Sequence, residues 1–208
     1  MKTKTAAALT LLGACLATPF SAYAATTKMC IFDIAGRSGP AFAQARDYAV
    51  AAKGWGATIE LEAYVDERLA AEDFKTGKCD AAAISTLRGR QFNKFVGSID
   101  SIGAVPTYKH LRTVIELMGS PKLADKMTSG LFEVAGILPI GAAYVMVNDR
   151  AINSVEKAAG KKIAVLDYDK SQAKMVQQLG AQPVSSEVIN FGTKFKCQVD
   201  KFRVDGWR

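Results

Sequence analysis

Histidine is almost absent from this chain: there is one, His110, among 208 residues. That excludes His-rich metal sites and leaves little for imidazole acid–base chemistry, and a lone His at a helix start is read as a surface residue. Cysteine is also scarce, with four in all, and their spacing matches no zinc pattern. The most apolar stretch near an end, Ala6 to Phe20, is too short and too interrupted for a membrane span. His-Glu-x-x-His, Walker A and Gly-x-Ser-x-Gly patterns are all missing. No stretch interleaves basic and aromatic residues, so nucleic acid is not an expected partner. With 49% hydrophobic and 23% charged residues, disordered and low-complexity classes are excluded too.

What is present begins with an address. Lys2 and Lys4 form a basic start, Ala6 to Ala17 an apolar core, Pro19 a break, and Ala22, Tyr23 and Ala24 a small-x-small cleavage site. Residues 1–24 therefore read as a secretory signal peptide. The rival reading is a lipobox at Leu12, Gly13, Ala14 and Cys15, which would lipidate Cys15. Cleavage after Ala24 removes Lys2 and Lys4, two of the seven net positive charges. Export places Cys30 and Cys79 in an oxidising compartment. If their strands are neighbours in one parallel sheet, the two can bridge; otherwise they are two buried thiols.

From Met29 the chain alternates strand and helix. Met29–Ile34 reads as a buried strand, and Pro40 opens a helix to Lys53 with Phe42, Ala45, Tyr48 and Ala49 on its apolar side. Ala57–Tyr64 alternates as a half-exposed strand. Asp66 caps a helix through Phe74, and Ala81–Thr86 is a further strand. This β-α-β-α-β run within one stretch predicts a parallel α/β sheet. Helices are expected at Tyr108–Met118 and Lys122–Met127, strands at Phe132–Leu138 and Ala142–Val147. The grammar then resumes. Ser154 caps Val155–Ala159, Lys162–Leu166 is a strand, Ser171–Leu179 a helix, Gln182–Val184 a strand and Ser186–Lys196 a helix. The expected organisation is an amino-terminal α/β lobe over 25–105, a helical and hinge region over 106–138, and a partial second α/β lobe over 139–200.

Strand-end loops supply the candidate site, because ligands of open α/β sheets lie beyond the carboxyl ends of the strands. Asp33 ends the first strand, and Gly36, Arg37, Ser38 and Gly39 form a Gly-rich turn able to face an anion. Thr86, Arg88 and Arg90 follow the third strand, and two arginines there could clamp a carboxylate or phosphate. Asp167 and Tyr168 follow the later strand and would face them, with Asp169 beside them as a loop cap. Were the ligand cationic, Asp33 and Asp167 would carry it. No catalytic set, metal site or cofactor site emerges, so an enzyme is not expected.

Three segments carry a family resemblance. They are Ile152 to Val165 with Gly160, Lys162 and Ile163; Leu179 to Val184 with Gly180, Ala181 and Pro183; and Lys194 to Asp200. Together they resemble TRAP-transporter-type (DctP-like) periplasmic solute-binding proteins. The amino half, through Cys30 to Gly36, Gly77 to Asp80 and Arg88 to Arg90, is similar to a subgroup of solute-binding proteins. Some of these are labelled RND-type efflux components linked to aminoglycoside resistance. The resemblance implies a two-lobed, type II periplasmic-binding-protein-like α/β fold that closes on a small solute and passes it to inner-membrane transporter subunits. Its alternative implication is a periplasmic accessory of an RND-type efflux system. Ala164 stands where the family has its carboxylate-binding arginine, which argues against an organic-acid ligand. Family members are longer, so the resemblance also implies an incomplete second lobe, an aberrant tail over 201–208, and a truncated copy of marginal stability that binds nothing.

Overall fold

The computed structural model describes residues 26–101, 103–141, 147 and 149–193. The expected signal peptide, the tail and most of the Ala142–Val147 strand lie outside these residues.

The first sheet has three strands in the order β2-β1-β3, all parallel: β1 Thr27–Phe32, β2 Ile59–Tyr64 and β3 Ala81–Ala83. Two helices make the crossovers, α1 Pro40–Lys53 and α2 Glu67–Lys75. Pro40 sits in the first turn of α1, where its missing N–H costs nothing. The Asp66 side chain accepts from Arg68 N at 2.8 Å and starts α2, as its position predicts. β1 ends two residues before the expected Ile34, because the backbone turns where the Asp33 carboxylate takes over the hydrogen bonding. Tyr48 is exposed rather than on the buried side of α1 and meets Trp55 edge-on at 6.2 Å. Ala52 instead joins Phe42 and Ala49 as the buried row.

The disulfide expected from neighbouring strands is formed. Cys30 in β1 is joined to Cys79, two residues before β3, with Cα atoms 5.9 Å apart. Both are buried and pack with Ala70, Phe32, Tyr64, Ala82 and Ile84.

A short α3, Thr86–Gly89, and a 3-10 turn, Val96–Asp100, lead to α4 Tyr108–Met118 and α5 Ala124–Met127. Thr107 caps α4 by accepting from His110 N, and its hydroxyl lies 2.7 Å from His110 Nδ1. The expected Phe132–Leu138 strand is only β5, Phe132–Glu133, paired antiparallel with β4, Thr128–Ser129. Beyond Glu133, Val134 donates to the Met127 carbonyl and, with Ile137, is drawn into a second apolar cluster with Val96, Met118 and Met127, with no further strand pairing among the described residues. Phe74, Phe92 and Phe132 stack at 4.8–5.5 Å between centroids and tie this region to α2.

The last described unit is again parallel β-α-β. β6 Lys162–Leu166 and β7 Gln182–Ser186 pair through the crossover helix α6 Lys170–Gln178. Gly180, at φ 73°, makes the left-handed turn between α6 and β7. Val165, Val176 and Ala181 form its small core. The helix expected from Ser186 starts later: β7 runs on to Ser186, a 3-10 turn spans Val188–Asn190 and residues 191–193 are helical, the remainder of the expected helix lying outside the described residues.

Candidate interlobe cleft

Loops at the carboxyl ends of β2, β3 and β6 meet. α3 begins at the end of β3, where Ser85 accepts from Arg88 N at 3.2 Å. That turn aims Arg88 at the loop after β6. Its guanidinium lies 3.7 Å from the centroid of the Tyr168 ring. The side chain is only 10% exposed, so this is no solvated helix start.

Glu67, in the first turn of α2, closes the arrangement. One oxygen accepts from Ser85 N at 2.6 Å; the other accepts from Tyr168 Oη at 3.1 Å and faces Arg88 Nε at 3.5 Å. Its side chain is 4% exposed. Burial, reinforced by the Glu67 charge, pushes the Tyr168 phenol well above its ordinary range, so it stays a donor. Arg90 donates to the Gly97 carbonyl at 2.9 Å and pairs with Asp169 at 3.6 Å. Asp169 also caps α6 by accepting from Ser171 N and Gln172 N. Thr86 hydrogen-bonds Asp100, whose carboxyl is pushed up by burial against the opposing pull of Arg90. At the rim Arg68 pairs with Glu187 at 3.3 Å and with Asp66 at 3.4 Å. Between these groups, Phe32, Val65, Val188 and Ile189 line a pocket with about 10 Å³ of water-accessible space, room for a single water.

The structure thus brings together Thr86, Arg88, Arg90 and Tyr168. Asp167 is exposed beside them, and its backbone N–H donates to the Ser186 carbonyl. Asp33 and Arg37, at the end of β1, contact the turn and α1 instead. The buried Asp33 carboxylate accepts from Ala35 N, Ala41 N and Phe42 N. Arg37 lies over the Phe42 ring at 5.6 Å, and Ser38 is exposed. The residue that sequence reasoning missed is Glu67. Its signal was its place just past the end of β2, the same strand-end rule that selected Arg88, obscured because the Asp66 cap already explained the local pattern. Among the described residues no three His, Cys, Asp or Glu side chains are grouped to hold a metal, and no helix is long and apolar enough to cross a membrane.

Solved structures of TRAP periplasmic solute-binding proteins superpose on this chain. The protein from Desulfovibrio salexigens with bound orotic acid gives a TM-score of 0.66 at 15% identity, over 84% of this chain and 58% of that one. The one from Sulfitobacter sp. NAS-14.1 with bound β-D-galacturonate gives 0.65 at 12% identity, over 85% and 60%. The one from Sulfurospirillum deleyianum with bound succinate gives 0.64 at 17%, over 84% and 58%. The fold class is therefore that two-lobed α/β fold. The family model for solute-binding protein AdeT 1/2 matches residues 47–204, and the chain belongs to that family. It is 56% identical over 165 residues to the probable solute-binding protein AdeT1 of Acinetobacter baumannii, and 28% identical over 101 residues to the probable solute-binding protein AdeT2 of the same organism. It matches 79% and 49% of this chain respectively, and spans 54% and 42% of those relatives' lengths.

Proposed function

We propose that this chain acts as a periplasmic solute-binding protein, without enzymatic activity, that captures a small solute between its lobes for inner-membrane subunits of a TRAP-type transporter. The observation that carries the reading is the stack of Arg88 on Tyr168, which joins the carboxyl ends of β3 and β6 where a solute would sit. The family match and the folds of the TRAP neighbours support it, and favour it over the efflux-accessory reading. The signal-like terminus and the Cys30–Cys79 bridge support export to an oxidising compartment. The cleft wall is assigned to Thr86, Arg88 and Arg90 on one side and Asp167 and Tyr168 on the other, with Arg88 and Arg90 acting by holding Glu67 and Asp169 in place.

A thermal-shift screen of the purified protein against small metabolites tests this. A true solute raises Tm in proportion to the logarithm of its concentration. The Arg88→Ala, Arg90→Ala double variant is expected to bind it at least about tenfold more weakly. Unchanged affinity in the double variant would remove this cleft as the site.

A further inference from the structure

Glu67 is bound the way a ligand is bound. Three donors from two separate segments converge on its carboxylate: Ser85 N–H and the Arg88 guanidinium at the start of α3, and the Tyr168 phenol after β6. A backbone N–H, an arginine and a phenol around one carboxylate make a complete anion site. The carboxylate filling it is the protein's own. The first turn of α2 supplies further favourable N–H dipoles on the same side. Arg88 is thereby neutralised and buried, and the adjoining pocket has room for one water. Arg90, the other arginine of the cleft, is likewise engaged by Asp169.

We propose that Glu67 is a resident occupant of a carboxylate-sized subsite formed by Ser85, Arg88 and Tyr168, and that it sets the specificity of the cleft against solutes bearing a carboxylate at that end. A solute carboxylate would have to eject Glu67 and leave a buried charge unpaired, which is unfavourable. A solute meeting α2 instead encounters Glu67 itself, behind a rim where Arg68 pairs with Asp66 and Glu187, and is matched by a hydroxyl group.

Emptying the subsite should create a binding site for free carboxylates. The inference rests on the solute-binding reading only for where the solute lies. Tm is measured for the wild type and for Glu67→Ala in potassium acetate and in potassium chloride at equal ionic strength. Acetate is expected to raise the Tm of Glu67→Ala by about 4 °C at tenfold over its Kd. The wild type should not distinguish the two salts. Adding Arg88→Ala should abolish the acetate response. If Glu67→Ala does not fold in chloride, recovery of its folded circular-dichroism signal in acetate is the same readout. Glu67→Gln provides a second variant: it keeps the subsite filled, so acetate should not stabilise it. The proposal is overturned if acetate does not move Glu67→Ala, moves the wild type or Glu67→Gln equally, or still acts after Arg88→Ala. A wild type that binds no solute while Glu67→Ala responds to acetate counts against the solute-binding reading alone. A wild type that binds an organic acid through Arg88 counts against the proposal alone.

Discussion

Tyr64, Asp73 and Lys78 show how single side chains set a pH window. Tyr64 Oη donates to Asp73 at 2.7 Å, and Lys78 Nζ lies 2.7 Å from the other oxygen of Asp73. The hydrogen bonds from Lys78 and Tyr64 hold the Asp73 carboxyl below its ordinary range. Burial and the neighbouring Asp73 push the Tyr64 phenol up to about 12. A lowered acid contributes stability above its unfolded pKa, and this is lost as pH falls through the folded value. A raised phenol contributes below about pH 10 and loses its contribution as pH climbs toward 12. The Tm difference between wild type and Asp73→Asn should therefore be largest near neutrality and shrink below about pH 4. An ultraviolet titration should show Tyr64→Phe lacking one late-ionising phenol. A Tm difference that stays constant from pH 7 to about 3 would show that Asp73 acts through packing alone. This triad was not legible in the sequence, because Tyr64 and Asp73 belong to different elements and only the α2 packing angle brings them together.

At the scale of elements, the β1-to-α1 turn shows a residue recruited by the fold. Asp33 was selected as a ligand candidate for its place at a strand end, and the rule placed it correctly in the chain. Its carboxylate, however, accepts from three backbone N–H groups, two of them in the first turn of α1. Asp33→Ala should cost about 2–3 kcal/mol, since buried N–H groups lose their acceptor. Gly39 belongs to the same device: a Cβ there would fall on the Asp33 carboxylate. Gly39→Ala alone should be strongly destabilising, yet nearly neutral in the Asp33→Ala background, where the clash is gone. Urea unfolding of the two single variants and the double variant measures that coupling. Additive effects would show that the glycine is required for another reason. Helix and strand identities here were readable because Pro40, Gly54, Asp66 and Gly180 punctuate the pattern. The length of β5 was not, because Val134 and Ile137 are apolar for the sake of a cluster, not a strand.

For the whole molecule, the described residues hold three apolar clusters, each tied to its own elements, beside the buried face of α1. Ions and rings join the two sheets: Arg88 on Tyr168, Arg90 with Asp169 and Arg68 with Glu187. Exposed pairs of the last kind contribute little. The Cys30–Cys79 bridge, closing 49 residues, is worth about 4 kcal/mol in the loop-closure account and acts on the first sheet alone. Reduction should therefore speed hydrogen exchange in β1 and β3 and leave β6 and β7 nearly unchanged, as read by mass spectrometry with and without reductant. Equal acceleration in both sheets would show that they unfold as one unit.

The sequence by itself determined the strand–helix order and a parallel sheet around β1, from local punctuation and hydrophobic period. It also placed Arg88, Arg90 and Tyr168 at strand ends. That β1 and β3 are neighbours, and hence that Cys30 and Cys79 bridge, was decided by the tertiary structure. Tertiary structure alone decided which strand-end residues meet. Asp33 turned inward because α1 begins close enough to offer its N–H groups, while Glu67 reached Arg88 because α2 packs beside α3. Such choices depend on how helices lie against a sheet, a distance set by side chains far apart in the chain, and no local pattern encodes it.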